Sequence, residues 1–322
     1  MRREPFLCAA SGLTMTEAVK GDTMSARDDT PTAGAGAPPV ADAAPQVCPF
    51  TGRSAADLAV LDAPPERAAE FRERARRDGP RTLLLTGASR GIGHATVKRF
   101  ASAGWRVLTV SRHAFPGASC PWPGGERDHV QLDLGNLDAI DYVVGEIRDR
   151  LGTGRLDALV NNAGISPKGP RGTRLGTLET DIAVWQQVLS VNLVSTALLA
   201  RGLFAELRAA KGAIVNVTSI AGARVHPYAG VAYACSKAAL AALTREMAFD
   251  FGRYGVRVNA IAPGEIKTSI LSPGTDEIVQ REVPMGRLGT TDEVAETIFF
   301  LCTDASSYVN GAEIHINGGQ HV

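Results

Sequence analysis

From residue 81 onward, short apolar runs alternate with longer stretches of helical period. The runs at 83–86, 106–110, 130–133, 156–160, 213–218, 256–261 and 312–316 are rich in Leu, Val and Ile and have the length of strands. Between them, the stretches ending near 103 and spanning 137–151, 182–207 and 292–302, with another beginning near 233, repeat apolar positions as amphipathic helices do. Strands that are apolar on both faces, each followed by a helix, belong to a parallel sheet covered on both sides. The pattern therefore predicts an α/β fold, a doubly wound parallel sheet of about seven strands with helices on both faces, as a single domain over 81–322.

The first 80 residues do not share this rhythm. Residues 1–46 are rich in Ala, Pro, Gly, Thr and Asp without a sustained period, and are expected to be a disordered tail. Residues 47–80 read as an extension with one short charged helix at 64–77, with Asp62 placed to cap it, prolines at its entry and Gly79-Pro80 as its stop. Its arginines are expected to pair with its own glutamates on a solvated surface. Arg2 and Arg3 are followed at once by Glu4 and Pro5, and the apolar run after them is too short for an export signal.

Composition narrows the functional classes. The 322 residues carry 34 Lys+Arg against 34 Asp+Glu, which leaves no basic footprint for nucleic acid or a membrane surface. No uninterrupted apolar run approaches the roughly 20 residues of a membrane helix. Cys8, Cys48, Cys120, Cys235 and Cys302 are odd in number and lack paired metal spacing, as expected of reduced thiols in a cytoplasmic protein.

The first strand runs into Gly87-Ala88-Ser89-Arg90-Gly91-Ile92-Gly93 and then a helix. Strand, glycine turn and helix start make an opening for a dinucleotide pyrophosphate, because glycines allow close backbone approach and the helix start offers free N–H groups. After the second strand an acid would accept from a ribose 2′-hydroxyl, whereas an arginine suits a 2′-phosphate. Arg112 stands there with no acid, and Arg90 offers a second cation, so NADP(H) is preferred, with NAD(H) as the alternative.

Four polar residues downstream carry candidate chemistry. Tyr233 and Lys237 are four apart at a helix start, so phenol and ammonium share a face and the lysine is expected to lower the tyrosine pKa. Asn192 lies inside an apolar helical stretch and must find partners. Ser219 ends the fifth strand, with Thr218 as the neighbouring hydroxyl on the opposite face. Tyr228 lacks a lysine four residues on, and Cys235 lacks a local activating histidine. His315 is expected to be a satisfied sheet histidine, and no His and carboxylate cluster points to a metal.

The glycine turn with its preceding Thr86, the Asn161-Asn162-Ala163-Gly164 run and Tyr233-x-x-x-Lys237 stand in the order and spacing of the classical short-chain dehydrogenase/reductase family. The chain resembles that family from about residue 81 to its end. The resemblance implies a Rossmann-type oxidoreductase in which residues 87–93 hold the pyrophosphate and Arg112 selects the cofactor. By the same resemblance Asp133 and Leu134 border the adenine, and Asn162, beside Ala163 and Gly164, lies against a ribose. Asn192 would hold a water of a proton relay, Ser219 would bond the substrate oxygen, and Tyr233 would be the general acid/base. Lys237 would bind the nicotinamide ribose. The segment after Pro263-Gly264 would close the nicotinamide site, with the backbone of Ile266 on the carboxamide and Thr268 nearby.

Residues 265–287 correspond to the family's substrate lid. The implied reaction is hydride transfer between the nicotinamide and a ketone or secondary alcohol, either free or carried as a 3-oxoacyl thioester on a carrier protein or CoA, by a homotetramer. The basic loop containing Lys168, Arg171 and Arg174 overhangs the expected substrate side and would suit an anionic or carrier-linked substrate. The alternatives are an NAD-dependent alcohol dehydrogenase and a catalytically silent nucleotide-binding regulator.

Overall fold

The computed structural model describes residues 79–115, 124–268, 271 and 274–322. The expected tail, the charged helix at 64–77, Cys8, Cys48, Cys120 and part of the expected lid lie outside these residues. Seven strands form one parallel sheet: β1 (Thr82–Thr86), β2 (Arg106–Ser111), β3 (His129–Gln131), β4 (Ala158–Asn161), β5 (Ala213–Val217), β6 (Arg257–Pro263) and β7 (Glu313–Ile316). Their order is β3-β2-β1-β4-β5-β6-β7. Strand order reverses between β1 and β4, and a crevice opens there at the carboxyl ends of the strands.

The helices are α1 (Gly91–Ser102), α2 (Ile140–Leu151), α3 (Ile182–Leu189), α4 (Ser195–Gly202), α5 (Phe204–Ala210), α6 (Val231–Gly252), α7 (Thr275–Glu282) and α8 (Thr291–Cys302). Two cores follow from the side-chain alternation of β1. Leu84 faces one side, with Ile147 of α2, Leu199 of α4, Leu207 of α5 and Met247 of α6. Leu83 and Leu85 face the other, with Val97 and Phe100 of α1 and Ile298 of α8. Each such leucine, fully withdrawn from water, contributes about 1.5–3 kcal/mol. Phe100 meets Trp105 and Phe299 edge-on at 5.0 and 5.1 Å, joining α1 to α8.

Three details depart from the sequence pattern. β3 stops at Gln131, because Asp133 turns back to accept a bond from the Gly135 N–H at 2.9 Å. The helix expected over 182–207 is interrupted by a π-turn at Ser190–Val194, which carries Asn192, and breaks again between α4 and α5. The stretch Ile182–Gly202 is long and apolar enough to cross a membrane by length and composition alone. Here it presents Val188 and Leu199 to the fold and turns Asn192 toward α6.

A buried polar chain seats α6 on the sheet. Asn161 of β4 donates to Asn216 of β5 at 2.9 Å, Asn216 donates to Thr244 of α6 at 2.9 Å, and Thr244 donates to the Leu240 carbonyl. Buried amides must be satisfied, so these bonds fix which face of α6 meets the crevice. That face carries Tyr233 and Lys237.

Candidate active site

The glycine turn after β1 is set by close approach. Gly87 and Gly91 have φ of 73° and 57°, the left-handed region that glycine adopts without strain. A Cβ on Gly93 would lie 2.1 Å from the Gly87 carbonyl oxygen and 2.6 Å from Asn162 Nδ2, so only glycine fits. Ala88 is buried, whereas Ser89 and Arg90 are exposed at the start of α1 and Ile92 is partly covered. The cradle is tied to β4: Asn162 Nδ2 donates to the carbonyls of Thr86 and Gly87 at 3.0 and 2.9 Å. Thr86 Oγ1 accepts from the N–H groups of Asn162 and Ala163, both at 3.1 Å. The Asn162 amide nitrogen is thus committed to the turn itself.

Around this turn the other expected cofactor residues gather. Arg112 is exposed beyond β2, its carbonyl accepting from Gln131 Nε2 at 3.0 Å. Leu134 is buried while Asp133 is exposed. Thr268 lies over the glycine turn, its Cγ2 3.5 Å from where a Gly91 Cβ would stand. Ile266 is buried, held by a short parallel bridge to Gly289. Pro263 ends β6, and Gly264 packs so tightly that a Cβ would meet the Asn317 Cβ at 2.5 Å. Free backbone at a helix start, two exposed arginines and this closing segment are suited to a nicotinamide dinucleotide.

The polar quartet converges beside the cradle. Burial holds the Tyr233 phenol above its ordinary value, and the neighbouring Ser219 hydroxyl pulls it the other way. Lys237 is 3 % exposed, donates to the Val217 carbonyl at 2.7 Å, and its Nζ stands 5.7 Å from the centre of the Tyr233 ring. Burial brings the ammonium down to about 8. Gly164 leaves room for it, since a Cβ there would lie 3.3 Å from Lys237 Nζ and 3.5 Å from Asn192 Oδ1. The expected lowering of the tyrosine by the lysine does not govern this site: desolvation of the phenol outweighs every other influence on it.

Asn192 is fully engaged. Its Oδ1 accepts from the Ile165 N–H at 2.8 Å, while Nδ2 donates to the Ile165 carbonyl and to Ser236 Oγ, both at 3.0 Å. Its amide therefore cross-links the end of β4 to α6. Thr218 is equally committed, donating to the Ile261 carbonyl at 2.7 Å, with Glu313 at 2.5 Å on its far side. Ser219, two residues past β5, caps the short turn that follows, its Oγ accepting from the Ala221 N–H at 3.2 Å.

The surroundings hold residues that the sequence pattern singled out and two, His226 and Glu265, that it did not. Two of the three basic side chains of the overhanging loop are spent on backbone: Lys168 on the Tyr228 carbonyl, and Arg174 on the Ala229 carbonyl at 2.8 Å. Arg171 remains exposed, in a left-handed conformation with φ of 58°. His226 and Glu265 form a buried pair at 2.6 Å. A one-dimensional signal for that pair is faint: a histidine between the candidate serine and tyrosine, and an acid directly after Pro263-Gly264. His315 stacks on His321 at 4.0 Å and its Nδ1 lacks a partner among the described residues, so it is a stacked rather than a fully satisfied histidine. Both described cysteines are free thiols; Cys235 is exposed, and burial pushes Cys302 up to about 12.

Comparison with known proteins agrees with this geometry. Residues 87–321 match the family model described as Enoyl-(Acyl carrier protein) reductase. The chain is 58% identical over 246 residues to Protein FixR of Bradyrhizobium diazoefficiens, covering 76% of this chain and 88% of that one. It is 36% identical over 244 residues to a 3-oxoacyl-[acyl-carrier-protein] reductase of Synechocystis, covering 73% and 95%. A crystal structure of a short chain dehydrogenase/reductase family oxidoreductase from Brucella ovis, in complex with a partially ordered NAD, is 59% identical with a TM-score of 0.65, covering 74% of this chain and 100% of that one. With its seven-stranded parallel sheet and its glycine cradle at the reversal point, the chain belongs to the short-chain dehydrogenase/reductase family, oxidoreductases that use a nicotinamide cofactor on alcohol and ketone groups.

Proposed function

We propose that the protein interconverts a ketone and a secondary alcohol with NADP(H), using Tyr233 as general acid/base. The observation that carries this reading is the buried Lys237, its Nζ 5.7 Å from the Tyr233 ring and anchored on the Val217 carbonyl at the carboxyl end of β5, with the Ser219 hydroxyl acting on the same phenol. A bound reduced nicotinamide supplies hydride to the carbonyl carbon. Tyr233, a protonated phenol at neutral pH, donates its proton to the carbonyl oxygen, and Ser219 stabilises the charge that develops there. Lys237, with its ammonium near 8, can re-protonate the tyrosine within the ordinary pH range and reach the ribose hydroxyls of the nicotinamide. Asn192 contributes by position: its amide is spent, so the relay water falls to backbone carbonyls that the π-turn leaves short of helical donors.

Arg90 and Arg112, both exposed and with no acid at the end of β2, support the 2′-phosphate and hence NADP(H). The NAD in the Brucella ovis relative favours the second reading, an NAD-dependent enzyme. Comparing kcat/KM for the two cofactors decides between them. NADPH is expected to lead; a tenfold lead for NADH rejects the arginine argument.

The carrier-linked version of the substrate is favoured by the Synechocystis relative and by the exposed Arg171. Reduced-nicotinamide absorbance over a panel of free ketones, alcohols and 3-oxoacyl thioesters assigns the class. Arg171→Glu then slows the carrier-bound substrate alone if the loop docks a carrier, whereas equal loss on a free ketone rejects that role. We place the enzyme in the cytoplasm as a homotetramer, as the family resemblance implies; light scattering on a sizing column tests the assembly.

A further inference from the structure

The connection between β5 and α6 carries Ser219 at one end and leads into Tyr233 at the other. Between them it grips α7 and the segment that precedes it at three points. Arg224 donates to Glu282, the last residue of α7, at 3.1 Å and to the Gln320 carbonyl at 2.6 Å. The Tyr228 hydroxyl fills the space at Gly274, the residue capping α7, where a Cβ would come within 2.1 Å of it. His226 bonds Glu265 at 2.6 Å, where the chain leaves β6 toward α7. This last contact is the most deeply buried, with side chains 13% and 9% exposed against 42% and 30% for Arg224 and Glu282.

The histidine is oriented by its neighbours. The Tyr228 N–H can only donate, and it points at His226 Nδ1 at 3.2 Å, so the ring proton sits on Nε2 and is donated to the Glu265 carboxylate. Both bonds together require the neutral imidazole. Tyr228 is further held by Lys168 on its carbonyl and by the His226 ring, 6.0 Å away. Glu265 is itself braced, because its carbonyl accepts from the Gly289 N–H at 2.9 Å and the next residue but one, Lys267, donates to the Gly289 carbonyl at 2.8 Å. Segments leaving the carboxyl ends of β4, β5 and β6 thus meet at Tyr228, on the side of the sheet where ligands bind.

We propose that Glu265 is a positioning residue: through His226 it fixes Tyr228 beneath the start of α7, so that α7 and the connection bearing the reacting hydroxyls move as one unit. This rests on the reading of Ser219 and Tyr233 as the groups that meet the substrate. Neither Glu265 nor His226 transfers a proton in the reaction. Their loss leaves the cofactor cradle and the Tyr233–Lys237 arrangement in place and frees α7.

The test uses the full chain and four proteins: wild type, E265A, E265Q and H226N. The asparagine keeps an acceptor for the Tyr228 N–H but cannot reach Glu265, and the glutamine keeps an acceptor for Nε2–H. Hydrogen exchange of the 275–282 amides, measured without substrate, is expected to quicken by about tenfold or more in E265A and H226N and to return toward wild type in E265Q. With cyclohexanone and NADPH, KM for the ketone rises about fivefold or more in H226N, while kcat and the NADPH Kd of that variant stay within about twofold. Unchanged exchange of α7 in H226N overturns the proposal, as does a parallel loss of NADPH binding, which would mark a general structural role. Should E265A not fold, H226N and E265Q decide alone. Since exchange needs no turnover, a failure of the catalytic reading, seen as a fully active Tyr233→Phe, is distinct from a failure of the clamp.

Discussion

Where the site stands on β1 and β4, parts are held by backbone approaching backbone; where it stands on β5 and β6, they are held by side chains reaching between distant segments. In the first half a methyl group on Gly93 has nowhere to go, and Asn162 and Thr86 stitch two adjacent strand ends together. In the second half His226 meets Glu265 across 39 residues and Arg224 meets Glu282 across 58. Steric exclusion is all or none, because packed backbone cannot yield by an ångström or more. A side-chain network can be altered one bond at a time at about 0.5–1.5 kcal/mol for each neutral bond. The cofactor half therefore admits little change, and the substrate half is where a family can vary its substrate on a constant frame.

The largest effects separate the halves most sharply. Gly93→Ala should cost more than about 4 kcal/mol in folding, or abolish nicotinamide binding if the chain folds by distorting the turn. Calorimetric titration with NADPH and a thermal melt check it, and an alanine variant with normal affinity would break the steric account. Tyr233→Phe belongs to the other half: kcat should fall about 10²–10⁴-fold. NADPH affinity and melting temperature should hardly move, since the phenylalanine keeps the ring and loses only the hydroxyl. A variant retaining most of its turnover would remove Tyr233 from the proton path.

The same contrast explains what could be read without coordinates. Periods of 2 and 3.6 residues report which face is buried, so the seven strands, their parallel sense and the two-sided core were legible. Glycine spacing reports close approach, so the cradle was legible too. The π-turn at Asn192 was not, because one extra residue per turn over five residues leaves no mark on an apolar run. His226 with Glu265 was not, because nothing in one dimension pairs residues 39 apart. The lysine's expected lowering of Tyr233 is offset for a related reason: helical spacing reports direction, while the desolvation that raises the phenol is a property of the assembled fold.

Lys237 offers a smaller effect that reads burial directly. Its folded value is near 8 against an ordinary 10.5. Between those values the unfolded chain binds more protons than the folded one, so this group makes stability rise with pH through that window. The full penalty applies below about 8 and is relieved by about 10.5. In Lys237→Met the contribution is absent. Urea denaturation of the cofactor-free proteins at pH 7 and pH 10 should therefore show wild type gaining on the variant by roughly 2.5 kcal/mol. Parallel curves would mean that the ammonium is better solvated than its 3% exposure implies.

The smallest effect bears on whether the cofactor half is as unalterable as its glycines suggest. Among the described residues Arg112 is fastened through its carbonyl, to Gln131, and its side chain is exposed, so Arg112→Ala removes a charge without disturbing β2. A charge-assisted bond to a 2′-phosphate is worth about 1.5–3 kcal/mol. NADPH affinity should then weaken by about 10- to 100-fold while NADH affinity is unchanged, as two fluorescence titrations would show. That outcome would mark one editable position on an otherwise rigid cradle, a place where cofactor choice changes without touching the pyrophosphate site. Equal weakening of both cofactors would instead mean that Arg112 meets a group the two share, and cofactor choice would have to be sought elsewhere along the adenosine side.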